Sequence, residues 1–119
     1  METKKILIGD DNTEFLASFS RALRRPGIEV DTATTPEGVV AKAKQTRYDK
    51  IVTDLDYTDE GGEGYRVLQE IRELAEVRIL YTAKAEVEGV REEAERNGAT
   101  HTINKRDFSG LMKLLKGGE

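Results

Sequence analysis

Three aspartates in this sequence have the chemistry and the placement of a metal-assisted site. Asp10 and Asp11 are adjacent and follow one short apolar run, and Asp54 follows another. Clustered carboxylates repel one another in a partly buried site, so either one is protonated or a cation lies among them. Ligand sets made only of oxygen suit Mg²⁺ better than zinc. A hydroxyl from Thr82 and an ammonium from Lys105 follow two further segments with strand character.

These five side chains would together support phosphoryl chemistry on an aspartate. A carboxylate can act as a nucleophile and form an acyl phosphate. A divalent metal would neutralise the incoming phosphate, while Lys105 and Thr82 would hold its other oxygens. The residue types therefore predict Mg²⁺-dependent transfer of a phosphoryl group to an aspartate.

The elements that must position these residues alternate between strand and helix five times. Strands are predicted at 6–8, 28–33, 50–53, 77–81 and 100–104, and helices at 13–25, from 36 onward, at 65–75, 86–97 and 107–116. This alternation predicts an α/β fold, a doubly wound five-stranded parallel sheet of strand order 2-1-3-4-5 with five helices on its two faces. Ligands of such sheets bind beyond the carboxyl ends of the strands, where the five side chains would meet.

Length and composition restrict the class of protein. The chain has 119 residues, a net charge of −4 and no cysteine. We expect one domain over residues 1–119, with no disulfide framework and no thiolate zinc site. The N-terminal apolar run, 6–8, is too short for a signal peptide or a membrane span. We therefore expect a cytoplasmic protein that neither enters a membrane nor binds nucleic acid directly.

The chain resembles a response-regulator receiver domain of two-component signalling over essentially its full length. The matching segments are 6–11, 51–55, 64–72, 81–83 and 98–99, the last of them shortly before Lys105. The resemblance implies Asp54 as the phosphoacceptor and Asp11 and Asp54 as direct Mg²⁺ ligands. It also implies that Asp10 acts through water and that the backbone carbonyl of Asp56 is a further ligand. Thr82 and Lys105 would bind the phosphoryl group.

The resemblance also implies partners. The phosphoryl group would come from a histidine kinase or a phosphotransfer protein. The chain would not be an enzyme in the usual sense, because it would catalyse only its own phosphorylation and dephosphorylation. Output would pass through a partner protein or through an attached domain missing from this chain.

Four features of the sequence depart from the family pattern. Thr58 stands where a proline is usual, the loop before the family glycine, Gly64, is about two residues longer, and Arg106 replaces the proline after the lysine. The aromatic switch position is Thr102, which has no ring to rotate. We therefore expect phosphorylation to change the side of the sheet near the fifth strand weakly. The helix at 86–97, with a thin apolar stripe, is the better candidate for a mobile element.

Two further residues flank the phosphoacceptor and are expected to modulate the hydrolysis rate. Asp56 lies two residues beyond Asp54, and Lys84 lies two residues beyond Thr82. A lysine reaching toward Asp56 would cross the path of an attacking water and slow hydrolysis. The competing interpretation is that the Asp56 carboxylate positions that water, or merely adds unfavourable negative charge.

Two other functions are open on the sequence. The run Asp54-Leu55-Asp56-Tyr57-Thr58 matches the Asp-x-Asp-x-Thr nucleophile motif of haloacid-dehalogenase-type phosphatases. Those enzymes carry the motif after their first strand, whereas here an acidic pair precedes it. The second alternative is a receiver-like interaction module that is never phosphorylated. Loss of the acidic pair or of the lysine would favour it, and neither is lost.

Overall fold

Five parallel strands form the sheet of the computed structural model, which describes residues 3–117. Residues 1, 2, 118 and 119 of the predicted 1–119 domain lie outside the described residues. The strands are β1 (Lys4–Gly9), β2 (Ile28–Ala33), β3 (Lys50–Thr53), β4 (Val77–Thr82) and β5 (His101–Asn104). They pair in the order β2-β1-β3-β4-β5. The predicted fold class and strand order are therefore confirmed.

Five helices cover the two faces of the sheet in the described part of the chain. They are α1 (Thr13–Leu23), α2 (Pro36–Gln45), α3 (Glu63–Glu70), α4 (Val90–Arg96) and α5 (Phe108–Gly117). None of the helices within residues 3–117 combines the length and apolarity needed to cross a membrane.

The central strands are buried on both sides, which explains their continuous apolar sequence. Successive side chains of a strand point to opposite faces. In β1, Ile6 and Ile8 accordingly join the cluster that includes Phe19 of α1 and Leu111 of α5. Leu7 joins the cluster on the other face, formed with residues of α2 and α3 such as Val39. The sheet is thus fixed between two apolar layers. These layers also hold in place the edge formed by the carboxyl ends of the strands, which we call the carboxyl edge.

Backbone hydrogen bonds continue past the strand ends and align the loops of that edge. The amide of Asp10 donates to Ala33 O at 3.1 Å, and the amide of Asp54 donates to Gly9 O at 3.0 Å. At the other side of the sheet, the amide of Lys105 donates to Thr82 O at 3.1 Å. The first residue after β1, β3 and β5 is therefore held by a backbone hydrogen bond to the end of a neighbouring strand.

Helix starts near this edge follow ordinary capping chemistry. Asn12 caps α1, since its Oδ1 accepts the amide of Phe15 at 3.0 Å. Thr35 caps α2 through the amide of Gly38, with Pro36 at the first position of the helix. Asp107 caps α5 through the amide of Gly110. Asn12 takes the capping role before α1, so this role does not account for Asp10 and Asp11.

Two helices differ most from the sequence prediction. The helix predicted at 86–97 begins only at Val90, because Gly89 adopts a left-handed conformation with φ 87° and the preceding residues form turns. Val87 lies in these turns and is 56% exposed, so it is not part of an apolar helix face. The helix predicted at 65–75 spans Glu63–Glu70, because Ile71 leaves the helical conformation with ψ 8°.

Candidate functional site

The three aspartates meet at the carboxyl edge as the topology predicts. Asp10, Asp11 and Asp54 each offer a carboxylate oxygen, and these oxygens lie within 4.8 Å of one another. Asp10 and Asp54 are only 3% and 7% exposed, whereas Asp11 is exposed. Asp10 is oriented by the amide of Asn12, which donates to its Oδ1 at 2.9 Å. The cluster is an all-oxygen donor set of the kind that holds a hard divalent cation.

The ammonium of Lys105 lies against two of these carboxylates. Its Nζ is 3.1 Å from Asp10 Oδ2 and 3.3 Å from Asp54 Oδ1. It also lies 5.3 Å from the ring centroid of Phe15, a residue that the sequence did not identify with the site. Burial lowers the pKa of Lys105, but the negative charges of Asp54 and Asp10 raise it by a larger amount. The pKa of Lys105 is therefore above its usual value. The ammonium is therefore charged at neutral pH and available to an incoming anion.

The surroundings of Asp54 destabilise its negative charge, which favours binding of a cation or reaction with an electrophile. Burial, and then the charge of Asp10, raise the pKa of Asp54 from 3.8 to about 6, against the opposing influence of Lys105. Its Oδ1 accepts the amide of Leu55 at 2.9 Å and faces the Lys105 ammonium. At neutral pH the carboxylate is ionised in an environment that disfavours its charge. Added positive charge or covalent esterification would relieve this cost.

Thr82 lies at the end of β4, as expected for a ligand of this edge. It is buried, and its Oγ1 accepts the amide of Lys84 at 3.0 Å. This bond fixes the backbone at the start of the loop after β4, which carries Lys84.

The predicted approach of Lys84 to Asp56 is present. Lys84 Nζ lies 2.9 Å from Asp56 Oδ2, and the side chains are 56% and 30% exposed. The other carboxylate oxygen, Asp56 Oδ1, accepts the amide of Gly62 at 2.7 Å. Asp56 is thus held from two sides, by its own loop and by the loop after β4.

Glu63 organises the long loop after β3 and was missed by the sequence reasoning. Its carboxylate accepts the amide of Tyr57 at 2.9 Å and the hydroxyl of Thr58. These hydrogen bonds lower the pKa of Glu63 from 4.5 to about 2. Glu63 therefore holds Thr58, the residue that stands where the resemblance leads one to expect a proline. An acid at the start of a helix was the available signal, but the sequence placed that start two residues later.

Gly64 is required by a close backbone approach. A Cβ on this residue would lie 2.2 Å from Asp54 O, and the amide of Gly64 donates to Leu55 O at 2.7 Å. The glycine matched from sequence therefore seats α3 directly against the backbone of the candidate phosphoacceptor.

Thr102 carries no aromatic ring, and an arginine contacts its backbone. The guanidinium of Arg91 donates to Thr102 O at 2.7 Å and to Glu86 Oε2 at 2.7 Å. The arginine thus joins α4 to β5 and to the loop that follows Thr82. On the same helix, Arg96 pairs with Glu93, three residues before it.

The family model of the response regulator receiver domain matches residues 6–116. The transcriptional regulatory protein PrrA of Mycobacterium leprae is 38% identical over 56 residues, which are 47% of this chain and 24% of that protein. A receiver protein of Anaeromyxobacter is 36% identical over 59 residues, 50% of this chain and 25% of that protein. The chain thus matches about a quarter of the length of these curated relatives.

Solved structures of similar proteins cover nearly the whole chain. A CheY-like receiver domain protein from Methanospirillum hungatei is 28% identical, with a TM-score of 0.77, and the match covers 94% of this chain and 92% of that one. The response regulator TrrA from Thermotoga maritima, solved with Mg²⁺ and BeF, is 26% identical with a TM-score of 0.78. That match covers 97% of this chain and 98% of TrrA.

The haloacid-dehalogenase alternative does not agree with these observations. The Asp-x-Asp-x-Thr run follows β3 rather than the first strand of the chain. Asp56 is tied to Lys84 and to the amide of Gly62, and Thr58 is tied to Glu63. The motif is therefore part of the loop architecture that supports Asp54.

Proposed function

Since the chain belongs to the response regulator receiver domain family of two-component systems, we propose that Asp54 accepts a phosphoryl group from a phosphohistidine. The donor is a histidine kinase or a phosphotransfer protein. The observation that carries the proposal is the buried Asp54 carboxylate, which has Asp10 and Asp11 on one side and the Lys105 ammonium 3.3 Å away. This set contains a nucleophile, a cation-binding acidic pair and a fixed positive charge.

The transfer exchanges one phosphorus bond for another. The attacking atom is Asp54 Oδ2, because Oδ1 is engaged by the amide of Leu55 and by Lys105. As its bond to phosphorus forms, the phosphorus–nitrogen bond breaks, and the electron pair stays on the imidazole, which takes a proton from water. Lys105 and Thr82 hold the phosphoryl oxygens and offset their negative charge. Hydrolysis of the acyl phosphate by water returns the Asp54 carboxylate and inorganic phosphate.

Mg²⁺ is the cofactor that the donor set fits. Asp10, Asp11 and Asp54 would hold it, since their carboxylate oxygens lie within 4.8 Å of one another. The family resemblance implies Asp11 and Asp54 as direct ligands, Asp10 as a ligand through water and the Asp56 carbonyl as a further ligand. When bound, the cation supplies positive charge that neutralises the phosphoryl oxygens. The response regulator TrrA, which was solved in complex with Mg²⁺ and BeF, supports the choice of cation.

The Asp56–Lys84 ion pair serves as a partial cover over the phosphorylated site. The two side chains belong to the loops after the neighbouring strands β3 and β4 and meet at 2.9 Å. The amide of Gly62 fixes Asp56, so the lysine bends toward the acid rather than the reverse. The pair would obstruct a water that approaches in line with Asp54, and this obstruction would slow hydrolysis.

The response to phosphorylation falls mainly on α4 and the turns before it. Thr102 has no ring, and residues 83–89 lack helical structure. Hydrogen exchange with and without Mg²⁺ and beryllofluoride should therefore show larger changes at 83–96 than at 100–107. Changes confined to 100–107 would contradict this assignment of the mobile element.

Output passes through a partner protein or an attached domain, in the cytoplasm, without direct contact to nucleic acid or insertion into a membrane. The protein acts on itself and does not turn over external phosphate esters. Incubation with p-nitrophenyl phosphate and Mg²⁺ should release no more than a stoichiometric amount of nitrophenolate. Continuous release would instead identify a phosphatase.

Phosphoramidate tests the proposed function directly, because it contains the same type of phosphorus–nitrogen bond. The parent protein with phosphoramidate and Mg²⁺ should gain one phosphoryl group by intact mass spectrometry. Asp54→Asn should gain none, and omission of Mg²⁺ should strongly reduce labelling of the parent. A parent protein that remains unlabelled would identify the non-phosphorylated interaction module.

A further inference from the structure

Tyr81 of β4 contacts the backbone of the phosphoryl-binding lysine. It is only 2% exposed, and its hydroxyl donates to Lys105 O at 3.0 Å. The next residue along the strand, Thr82, accepts the Lys105 amide through its carbonyl at 3.1 Å. Two consecutive residues of β4 therefore hold both backbone polar groups of Lys105.

The Tyr81 ring also supports the Lys105 side chain. It stacks on Phe15 with ring centroids 6.0 Å apart and an interplanar angle of 10°. Phe19 packs against both rings edge-on, at 5.7 Å from Tyr81 and 4.6 Å from Phe15. The Lys105 ammonium lies 5.3 Å from the Phe15 centroid, a distance at which a cation is attracted to the ring face. One aromatic cluster thus supports Lys105 at its carbonyl and at its ammonium.

The segment after Lys105 needs such support because of its composition. Arg106 follows the lysine, and it lacks the ring by which a proline restricts φ. The turn is held instead by hydrogen bonds, from the Arg106 amide to Asn104 Oδ1 at 2.9 Å and from the Asp107 amide to Asn104 O at 2.8 Å. Neither bond reaches Lys105 itself. Burial raises the pKa of Tyr81 to about 12, so its hydroxyl remains a donor over the physiological range.

We propose that Tyr81 is a positioning residue for phosphoryl transfer, whose hydroxyl holds Lys105 so that the ammonium stands between Asp10 and Asp54. This inference rests on the proposed function. It makes the rate of phosphoryl transfer depend on a residue outside the acidic cluster, which would contact neither the metal ligands nor the phosphoryl group. Tyr81 acts on the reaction only through Lys105.

Tyr81→Phe isolates the hydroxyl, because the ring and its stacking are retained. We expect phosphorylation by phosphoramidate to slow about threefold to tenfold, the range of rate that one ordinary hydrogen bond controls. The Mg²⁺ affinity should stay within twofold of the parent, since the lysine is not a metal ligand. Phe15→Leu, which removes the ring beneath the ammonium, should slow phosphorylation in the same direction and also spare Mg²⁺ affinity.

Tyr48→Phe is the matched control. Tyr48 is another buried tyrosine with a hydrogen bond, from its hydroxyl to Asp31 Oδ2 at 2.6 Å, and it lies before β3 at the opposite edge of the sheet. This variant should lose stability as Tyr81→Phe does, but its phosphorylation rate should match the parent.

A double substitution separates positioning from a general effect on the fold. In a Lys105→Ala background the reaction is already slow, and adding Tyr81→Phe should change its rate less than twofold. The inference is overturned if Tyr81→Phe alone reacts at the parent rate, or if it slows the Lys105→Ala protein by the same factor as the parent. A parent protein that accepts no label would refute the proposed function. A parent that is labelled, with either of these two results for Tyr81→Phe, would refute this inference alone.

Discussion

Replacing Asp54 by asparagine should stabilise the protein at alkaline pH in the absence of divalent metal. The folded environment raises the pKa of this carboxyl to about 6, mainly through burial and then through the charge of Asp10. In the unfolded chain the group keeps its ordinary value of 3.8. At pH 8 it is ionised in both states, and its charge is disfavoured only in the folded one. Asparagine keeps the size of the side chain and removes the charge.

The size of the effect follows from the difference between these two pKa values. A rise from 3.8 to about 6 corresponds to a destabilisation of at most about 3 kcal/mol when the group is ionised. This value already includes the attraction of Lys105, which opposes the rise. We expect Asp54→Asn to raise the free energy of unfolding by about 1–3 kcal/mol at pH 8.

The sign of the pH dependence is equally defined. As the pH falls through 6, Asp54 of the folded parent binds a proton before the unfolded chain does, so the parent regains stability. The advantage of the variant should therefore shrink below pH 6 and disappear below about pH 4. Urea unfolding in EDTA at pH 8, 6 and 4, followed by circular dichroism, measures this trend.

Asp59→Asn is the matched control, because Asp59 is exposed on the same loop and its substitution changes the net charge equally. It should shift the free energy of unfolding by no more than about 0.5 kcal/mol at any of these pH values. An Asp54→Asn protein that is less stable than the parent at pH 8 would refute the reasoning. An equal gain at pH 4 and pH 8 would refute it as well, because that gain would not come from ionisation.

The remaining predictions concern the phosphoryl lifetime, the long loop and the metal ligands. Lys84→Ala and Asp56→Ala should each lose phosphate up to about fivefold faster than the parent in a decay assay; slower loss in Asp56→Ala would show that its carboxylate assists the attacking water. Because its folded pKa is lowered, Glu63 stabilises the fold above pH 4.5, and this contribution is lost as the pH falls toward about 2. Thermal unfolding of Glu63→Gln should lack this part of the acid sensitivity, and an unchanged pH profile would contradict the role. By calorimetric titration, Asp11→Ala should weaken Mg²⁺ binding more than Asp10→Ala, and the reverse order would contradict the assignment of Asp11 as the direct ligand.

The sheet could be predicted from the sequence because the local strand signals agree with the topology that alternating strands and helices require. β2 and β3 have the predicted bounds, since each apolar run is flanked by turn residues or by a clear helix start. The strand order then brings Asp10, Asp11 and Asp54 to one edge without any knowledge of side-chain packing. Chemistry located at strand ends is therefore predictable in this fold class.

The helix starts near the site were not predictable in the same way. A periodic charged segment reads as one helix from 86 to 97, but Gly89 takes a left-handed conformation and leaves only Val90–Arg96 helical. In α3 the start depends on Glu63, whose carboxylate bonds to the loop after β3 rather than to its own helix. Hydrogen bonds between loops are not encoded by the periodicity of either segment.

The support of Lys105 shows why part of the site escapes sequence reasoning. Tyr81 and Lys105 are 24 residues apart, and their hydrogen bond depends on the packing of β4 against β5 and α1. From the sequence alone Tyr81 is one more apolar residue of a buried strand. Only the placement of its hydroxyl beneath the lysine carbonyl distinguishes it from the leucine before it.

The central claim is that Asp54 is the residue that receives the phosphoryl group. Treating the phosphorylated protein with borohydride reduces an aspartyl phosphate to homoserine, and peptide mass spectrometry then locates that residue. We predict homoserine at position 54 in the parent and at no position in Asp54→Asn. Homoserine at position 10 or 11 of the parent would contradict the account.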